Sequence, residues 1–543
     1  MSKLSKAVKV LNEDKALRID ETVVNFMGGQ SYKINPLDTL KMVTASSIFG
    51  EPSYYRDSKR GAKYCPNSLV SGTILGNSFD DKDTETIMEE VIDNALTYDF
   101  GATLAWAVTL RKEFNMRLNP QVIMVRAALH PSRKEFTQNN PGEFDRINTL
   151  VMSRTDEPMS QMAYYMYTND GDKKGMPSLL KRSWAKNIES RSRYNLAKYK
   201  NHEIGLINAV RICHANNADI NELMKTGTIE ITEDEKTWEN LRSAGKSWKE
   251  IFDTIKMGHM ALLRNLRSVF SEVEDLEFCK RYLAALKSGV ASGKQFPFRY
   301  YSAYEAVKNS DCNHKTVIMD ALEDCIDLSM ENIPKLKGKT MCLSDNSGSA
   351  WGAVTSEYGT STIAVIDNLS SVIAARASEE GYVGKFGDRL IEHPVSKRNG
   401  VLSQAAAISK TGSRDVGAGT EGGIWEFFIN AIDNKIHYDN IFIYSDMQAG
   451  HGGLYGTHDQ KKEYSRKGYD CRGSFINVFK LIQDYRKYVN SKVNVFSIQT
   501  AGYDNVVVPE MAYRTAILYG WTGKETQFAA EYIKQWDDIE NRQ

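Results

Sequence analysis

The stretch "NIPKLKGKTMCLSDNSGSAWG", residues 332–352, divides the chain into two textures. Before it, leucine, alanine and methionine recur at helical spacing in "TIMEEVIDNALTYDF", "LAWAVTLRKEF", "PQVIMVRAALH" and "HMALLRNLRSVFSEV". No run there alternates as a strand does. Pro120, Pro131, Pro177 and Pro297 fall between the runs, where helices start or stop. Many amphipathic helices without strands predict stacked helix pairs, an α-solenoid, over residues 1–335, although no clean internal repeat stands out. After residue 335, short apolar runs alternate with helical stretches. "TMCLS", "NIFIYSD", "KVNVFSIQT" and "RTAILYG" read as strands; "TIAVIDNLSSVIAARASEE", "GIWEFFINAIDN", "FINVFKLIQDYRKYV" and "GKETQFAAEYIKQWDDIE" read as helices. That βαβ alternation predicts a Rossmann-like, mostly parallel sheet covered on both faces over residues 336–543.

The totals exclude several classes. The 543 residues carry a formal charge of zero, with 41% hydrophobic and 25% charged residues, as in ordinary globular proteins. No stretch approaches the roughly 20 apolar residues of a membrane helix, and the first residues lack a signal-peptide core. The cysteines are Cys65, Cys213, Cys279, Cys312, Cys325, Cys342 and Cys471. Their odd number and wide spacing argue against a disulfide framework or zinc ribbon, and for a reducing, cytoplasmic location. His451 and His458 share a glycine-rich loop but make only a weak metal signal. The charged segment Met447 to Gly473 is too long for a routine connection and is mobile, functional or both.

"MCLSDNSGSAWG" has three chemical readings: a nucleophile, a phosphate cradle or a metal site. A serine nucleophile wants G-x-S-x-G with a partnering histidine, and a P-loop wants G-x-x-x-x-G-K-[ST]; neither pattern is present. No catalytic residue is assigned. A helix-capping Asp/Ser cluster without metal stays open. Ligands of open α/β sheets gather at the carboxyl ends of the strands. Asp345, Ser347 and Ser349 sit at one such end, and Asp446 ends a second strand. Thr420 in "GAGTEGG" opens a helix between them; Thr411 lies farther from that helix start. Two carboxylates and three hydroxyls suit a hard divalent cation such as Mg²⁺, and few carboxylates leave the ion able to accept an acidic ligand. The D-x-S-x-S pattern resembles the metal-ion-dependent adhesion site of von Willebrand factor A domains. That likeness gives Asp345, Ser347, Ser349, Thr420 and Asp446 their place as ligands, direct or through water.

Upstream, residues 173–200, "KKGMPSLLKRSWAKNIESRSRYNLAKYK", hold nine Lys or Arg and one acid, Glu189. A helix over 178–190 puts Leu180, Trp184 and Ile188 on one buried stripe and turns Lys181, Arg182 and Lys186 outward. Lys173, Lys174, Arg191, Arg193, Lys198 and Lys200 continue the charge, with Tyr194 and Tyr199 between. Cations pair with phosphates and rings stack on bases, so an anion-binding surface, RNA first, is expected; a solvated helix face is the alternative.

"MPSLLKRSWAKNIESRSRYNLAKYKNHEIGLINAVRICHA", "MGHMALLRNLRSVF" and "FPFRYYSAYEAV", in this order before an A-type domain, resemble the Ro ribonucleoprotein family, whose helical module is called TROVE. The resemblance spans about residues 40–540. It implies HEAT-like repeats curved into a monomeric ring that the A domain closes. It also implies an RNA-binding, non-enzymatic protein. Single-stranded ends of structured or misfolded non-coding RNA would enter the lumen, and Y RNA-like stem-loops would bind the basic outer surface. Non-coding RNA quality control or nuclease tethering follows from the family alone, with an acidic protein partner or exoribonuclease at the metal site. By motif, Lys181 and Arg182 match the paired basics of RNA contact, His214 the helix-end histidine, and Arg264 the A-L-L-R-N-L arginine, which reads equally as structural. Leu206 stands where many relatives have histidine, Glu421 where aspartate is common, and the Met447–Gly473 insert is longer than the family's loop. A protein-adhesion module with the helices as scaffold is the competing function.

Overall fold

The computed structural model describes residues 22–24, 30–32, 36–45, 84–114, 116–169, 175–199, 204–232, 235–352, 361–419, 421–446, 454–455, 458–469, 475–500, 513–519 and 524–541. These fall into two compact units, which divide between Ala244 and Gly245 except that the second also takes in the paired strands Thr22–Val24 and Gln30–Tyr32.

The first unit is helical, as its periodicity predicts. Prolines mark helix starts: Pro120 lies in the first turn of Asn119–Leu129, and Pro177 is the N-cap of Ser178–Glu189. Pro at these places costs nothing, because the N–H it lacks has no intrahelical partner. Asp99, Ser192 and Asn217 cap other helices through their side chains. Neighbouring helices pack on one another: Phe100–Lys112 on Asn119–Leu129, Glu143–Val151 on Ser178–Glu189, and Ser178–Glu189 on Leu206–Cys213.

A buried polar network ties four of these helices together. Trp184 Nε1 donates to Gln161 Oε1 at 2.8 Å. Gln161 Nε2 donates to Gln121 Oε1 and Asn148 Oδ1, both at 2.7 Å. Asn148 Nδ2 donates to Ser183 Oγ at 2.8 Å, and Gln121 Nε2 reaches Val151 O at 3.3 Å. All five residues are buried. Buried donors and acceptors that find each other this way specify one helix register, because a shifted register leaves them unpaired in low dielectric.

In the second unit, helices between Trp248 and Ser329 pack with a six-stranded sheet. The composition change near residue 335 marks the turn from helix to sheet, yet the helices before it belong to the sheet's own unit. Asp327, on the helix Lys315–Ser329, shows why. It pairs with Arg376 and accepts from Val401 N at 3.0 Å, two contacts with the sheet's covering helices.

Ten strands are described. β1 (Thr22–Val24) pairs antiparallel with β2 (Gln30–Tyr32), two strands that the periodicity of the helical region does not foretell. The large sheet holds β3 (Leu336–Asp345), β4 (Ser378–Phe386), β5 (Leu390–Pro394), β6 (Asn440–Ser445), β9 (Asn494–Gln499) and β10 (Thr515–Tyr519). Its order is β10-β9-β6-β3-β4-β5, parallel except for the edge pair β4/β5. β7 (Leu454–Tyr455) and β8 (Phe475–Ile476) make a short ribbon, and the helix His458–Arg466 lies between them in sequence. The charged 447–473 segment therefore contains folded elements.

The helix Ile363–Ala377 crosses from β3 to β4 and is buried almost all round. A helix covered on nearly every side belongs in the interior of an α/β layer, even though this one buries Asp367, Asn368, Ser370 and Ser371 among its apolar residues. It closes so tightly on β4 that a Cβ on Gly381 would stand 2.0 Å from Ala375 O. The described cysteines, Cys213, Cys279, Cys312, Cys325 and Cys342, are all free and buried. Among the described residues no helix is long and apolar enough to cross a membrane.

Candidate cation centre and basic helix face

In the β10-β9-β6-β3-β4-β5 order, chain progression reverses between β3 and β6. The carboxyl ends of those two strands form a crevice where α/β sheets hold ligands. Asp345 closes β3 and Asp446 follows β6, so both carboxylates lie at this switch point, and both are buried. Ser347 N–H donates to Asp345 Oδ1 at 2.8 Å, and Ser445 Oγ donates to Asp345 Oδ2 at 2.5 Å. The hydroxyls of Ser347 and Ser349 stand 3.2 Å apart.

The loop is shaped from below. Asn346 N–H bonds Phe386 O at 2.8 Å, and Asn346 Nδ2 bonds Asn368 Oδ1 at 2.9 Å. Asn368 also accepts from Ser344 Oγ at 2.7 Å. The second loop is pressed against the first: Gly348 N–H donates to Ala418 O at 2.7 Å. Gly348 is part of that contact, since a Cβ there would stand 3.3 Å from Ala418 Cβ and O, while Gly417, at φ +88°, and Gly422 pack the second loop and its helix onto Asp388. Thr420 itself lies outside the described residues, and the helix it precedes begins at Glu421. Thr411 is committed elsewhere: its hydroxyl donates to Asp415 at 2.8 Å and accepts from the buried Lys385 Nζ at 2.6 Å.

Electrostatically, this crevice concentrates negative charge. Burial and the neighbouring Asp446 push the Asp345 carboxyl up to about 7. Two buried carboxylates repel and desolvate each other unless a proton or a metal ion intervenes. The donor set of carboxylates and hydroxyls is all oxygen, the preference of a hard divalent ion. Among the described residues no three His, Cys, Asp or Glu side chains gather closely enough to hold a metal by themselves; a cation here would need the hydroxyls as further ligands. His458 points to solvent beside Asp459, and His451 is outside the described residues.

Sequence reasoning missed Asp367. It lies in the helix Ile363–Ala377, fully buried, with a carboxyl far above its ordinary range. Burial is the main cause, followed by Asp345; Thr500 eases the charge and Asp446 raises it further.

The basic stretch resolves into residues of different kinds. Leu180, Trp184 and Ile188 are the buried stripe of the helix Ser178–Glu189. Arg182 and Lys186 are exposed and Lys181 is half-buried. Arg182 pairs with Asp145 at 3.1 Å; among the described residues neither Lys181 nor Lys186 has a partner. Arg191 donates to Met152 O, Ser153 O and Asn187 Oδ1 at 2.8–3.2 Å, staples of the fold. Arg193 is bidentate to Glu222 and also meets Asp219. Lys198 pairs with Glu239 at 3.0 Å, and Tyr199 accepts from Arg154 at 2.7 Å. The acids that neutralise the stretch thus come from neighbouring helices.

His214 is exposed and takes the left-handed conformation that ends Leu206–Cys213, while Leu206 opens that helix and is buried. Arg211, on the same helix, is exposed and was not singled out in the sequence; its place one turn before His214 is the signal. Arg264 is exposed, and among the described residues it has no partner, so the structural pairing weighed for it is absent. Lys173, Lys174 and Lys200 lie outside the described residues.

The TROVE domain family model matches residues 224–327. That span contains Arg264 and begins after the basic stretch. The crystal structure of the Deinococcus radiodurans RO (RSR) protein shares the fold, with a TM-score of 0.57 at 13% identity, over 82% of this chain and 93% of that one. No curated protein sequence matches the chain. The family-model match and the shared fold together establish the resemblance to the Ro family that the motifs carry.

Proposed function

We propose that this chain, which carries a TROVE domain and the Ro fold, is an RNA-binding protein of the Ro type that acts without catalysis. The observation that carries this reading is the Ser178–Glu189 helix: its apolar stripe is buried, and Lys181, Arg182 and Lys186 stand on its other faces. Exposed Arg211, His214 and Arg264 extend the set of candidate contacts. Lysine and arginine neutralise phosphates and release counterions, which supplies affinity for structured or misfolded small RNA, Y RNA-like stem-loops included. In this reading the helices form a monomeric, HEAT-like ring that takes single-stranded ends into its lumen. The sheet is a von Willebrand A-like domain whose Asp345, Ser347, Ser349, Thr420 and Asp446 hold Mg²⁺. The protein works in the cytoplasm, in non-coding RNA quality control or beside a nuclease.

Partnering separates binders from braces. Lys181→Ala with Lys186→Ala is expected to weaken binding to every structured RNA and to lower the slope of log K against log salt by about 2, with thermal stability kept. Arg193→Ala is expected to lower stability instead, because Asp219 and Glu222 lose their partner. Titrations of a tailed hairpin RNA at several salt concentrations read both effects. Unchanged affinity in the double variant would sink the assignment of this face.

A further inference from the structure

We infer that Asp367 is the third acid of the cation centre, a positioning residue below the ligand loop whose charge holds the ion from within. The inference rests on the reading of Asp345 and Asp446 as cation ligands. Three observations carry it. Asp367 is fully buried, and neither of its carboxylate oxygens has a hydrogen-bond partner among the described residues. Hydroxyls on the same helix, Ser370 and Ser371, and that of Thr500 just after β9 are buried and unpartnered as well. Thr500 stands close enough to ease the Asp367 charge without hydrogen-bond geometry, and its N–H is tied to Ser445 O at 3.0 Å, next to Asp446. The charges felt by Asp367 are those of Asp345 and Asp446, with no lysine or arginine among them. Asn368, its neighbour in sequence, already holds the ligand loop through Asn346 and Ser344.

A buried carboxylate with no donor and two like charges beside it destabilises a fold that contains no cation. Lys385, the buried lysine on β4, is spent on Asp415 at 2.7 Å. A divalent ion over Asp345 and Asp446 removes the conflict. Among the described residues no three acids gather to ligate one ion, so Asp367 acts at one remove, through field and through water bridging Ser371 and Thr500. This changes what the site is for. A centre with two carboxylates leaves its ion seeking an acidic ligand from outside. A third carboxylate beneath it supplies that negative charge internally, so the ion consolidates the domain and an acidic partner is not required.

The test uses the full chain and Asp367→Asn, with Mg²⁺ and Mn²⁺ as probes. Outer-shell partners of metal sites are worth on the order of 10- to 100-fold in affinity, so Mn²⁺ binding by calorimetry is expected to weaken by at least about tenfold. Melting in EDTA carries the sign. The variant is expected to melt above the wild type without cation, and to gain less from added Mg²⁺. An aspartate that only braces the helix would lower the melting temperature with and without cation, and that result overturns the inference. So does unchanged Mn²⁺ affinity. If the asparagine protein does not accumulate, Asp367→Leu, neutral and close in volume, gives the same comparison. A wild type that binds neither ion would instead refute the cation reading of Asp345 and Asp446.

Discussion

Trp184→Ala is expected to unfold the first unit at markedly lower urea than the wild type, with a loss of about 3–5 kcal/mol, the range for large-to-small changes of buried aromatics. Two terms combine. The indole is fully buried, so its removal leaves a cavity under the basic helix. Its N–H is a donor to Gln161 Oε1, whose amide in turn serves Gln121 and Asn148. Trp184→Phe separates the two: the ring stays, the donor is lost, and a cost of about 1–3 kcal/mol is expected for the weakened network. RNA affinity should fall with stability in the alanine variant, because Lys181, Arg182 and Lys186 ride on the same helix. Urea unfolding of the full chain, followed by tryptophan fluorescence and far-UV dichroism, reads the loss. A midpoint within error of the wild type would mean that the network does not hold the helices in register.

The second large effect lies at the end of the sheet. Arg514 is 2% exposed and takes a left-handed backbone at φ +47°. Its guanidinium donates to Glu540 at 2.8 Å, Asp537 at 2.5 Å and Asn494 at 2.9 Å. Tyr513 and Lys492 complete the hold on Glu540 at 2.6 and 2.7 Å. Together these groups clamp the helix Glu525–Glu540 onto β9 and β10. Arg514→Met is expected to cost about 1–3 kcal/mol, since it leaves the half-buried Glu540 carboxylate without its main partner. Adding Glu540→Gln should return part of that loss.

The same clamp sets a pH dependence. Burial raises the Glu540 carboxyl, but Arg514, Lys492 and Tyr513 more than offset it and bring it down to about 2, from 4.5. A folded value below the unfolded one stabilises above the unfolded value. The contribution is therefore complete above pH 4.5 and drains away as pH falls toward 2. Arg514→Met should flatten that part of the stability–pH curve; an unchanged acid limb would show that the clamp does not act.

Much of this architecture is legible in the sequence, and the limits are physical. "NIFIYSD" and "KVNVFSIQT" are short apolar runs bounded by polar residues, and they form β6 and β9 where their period places them. The stripe Leu180, Trp184, Ile188 is legible because one helix face suffices to define it. The pairing of Arg182, Arg193 and Lys198 is not, because their partners are distant in sequence: Asp145 for Arg182, Glu222 for Arg193, Glu239 for Lys198. A charge run looks unneutralised until neighbouring helices are in place. Asp367 was hidden for the opposite reason. In "IAVIDNLSSVIAARA" it reads as the polar side of an amphipathic helix, whereas this helix has almost no exposed side. The joining of helices 248–329 to the sheet is also a tertiary matter, made by contacts such as Asp327 with Arg376.

The central claim, that RNA is held by phosphate contacts, is tested most directly by the salt dependence of binding. The full chain would be titrated with a structured RNA bearing a single-stranded tail, from about 50 to about 200 mM salt. Log K should fall linearly with log salt. Six or more phosphate contacts would lose on the order of a thousandfold in affinity over that range. Affinity that stays flat over the same range, or no binding at the lowest salt, would contradict the account.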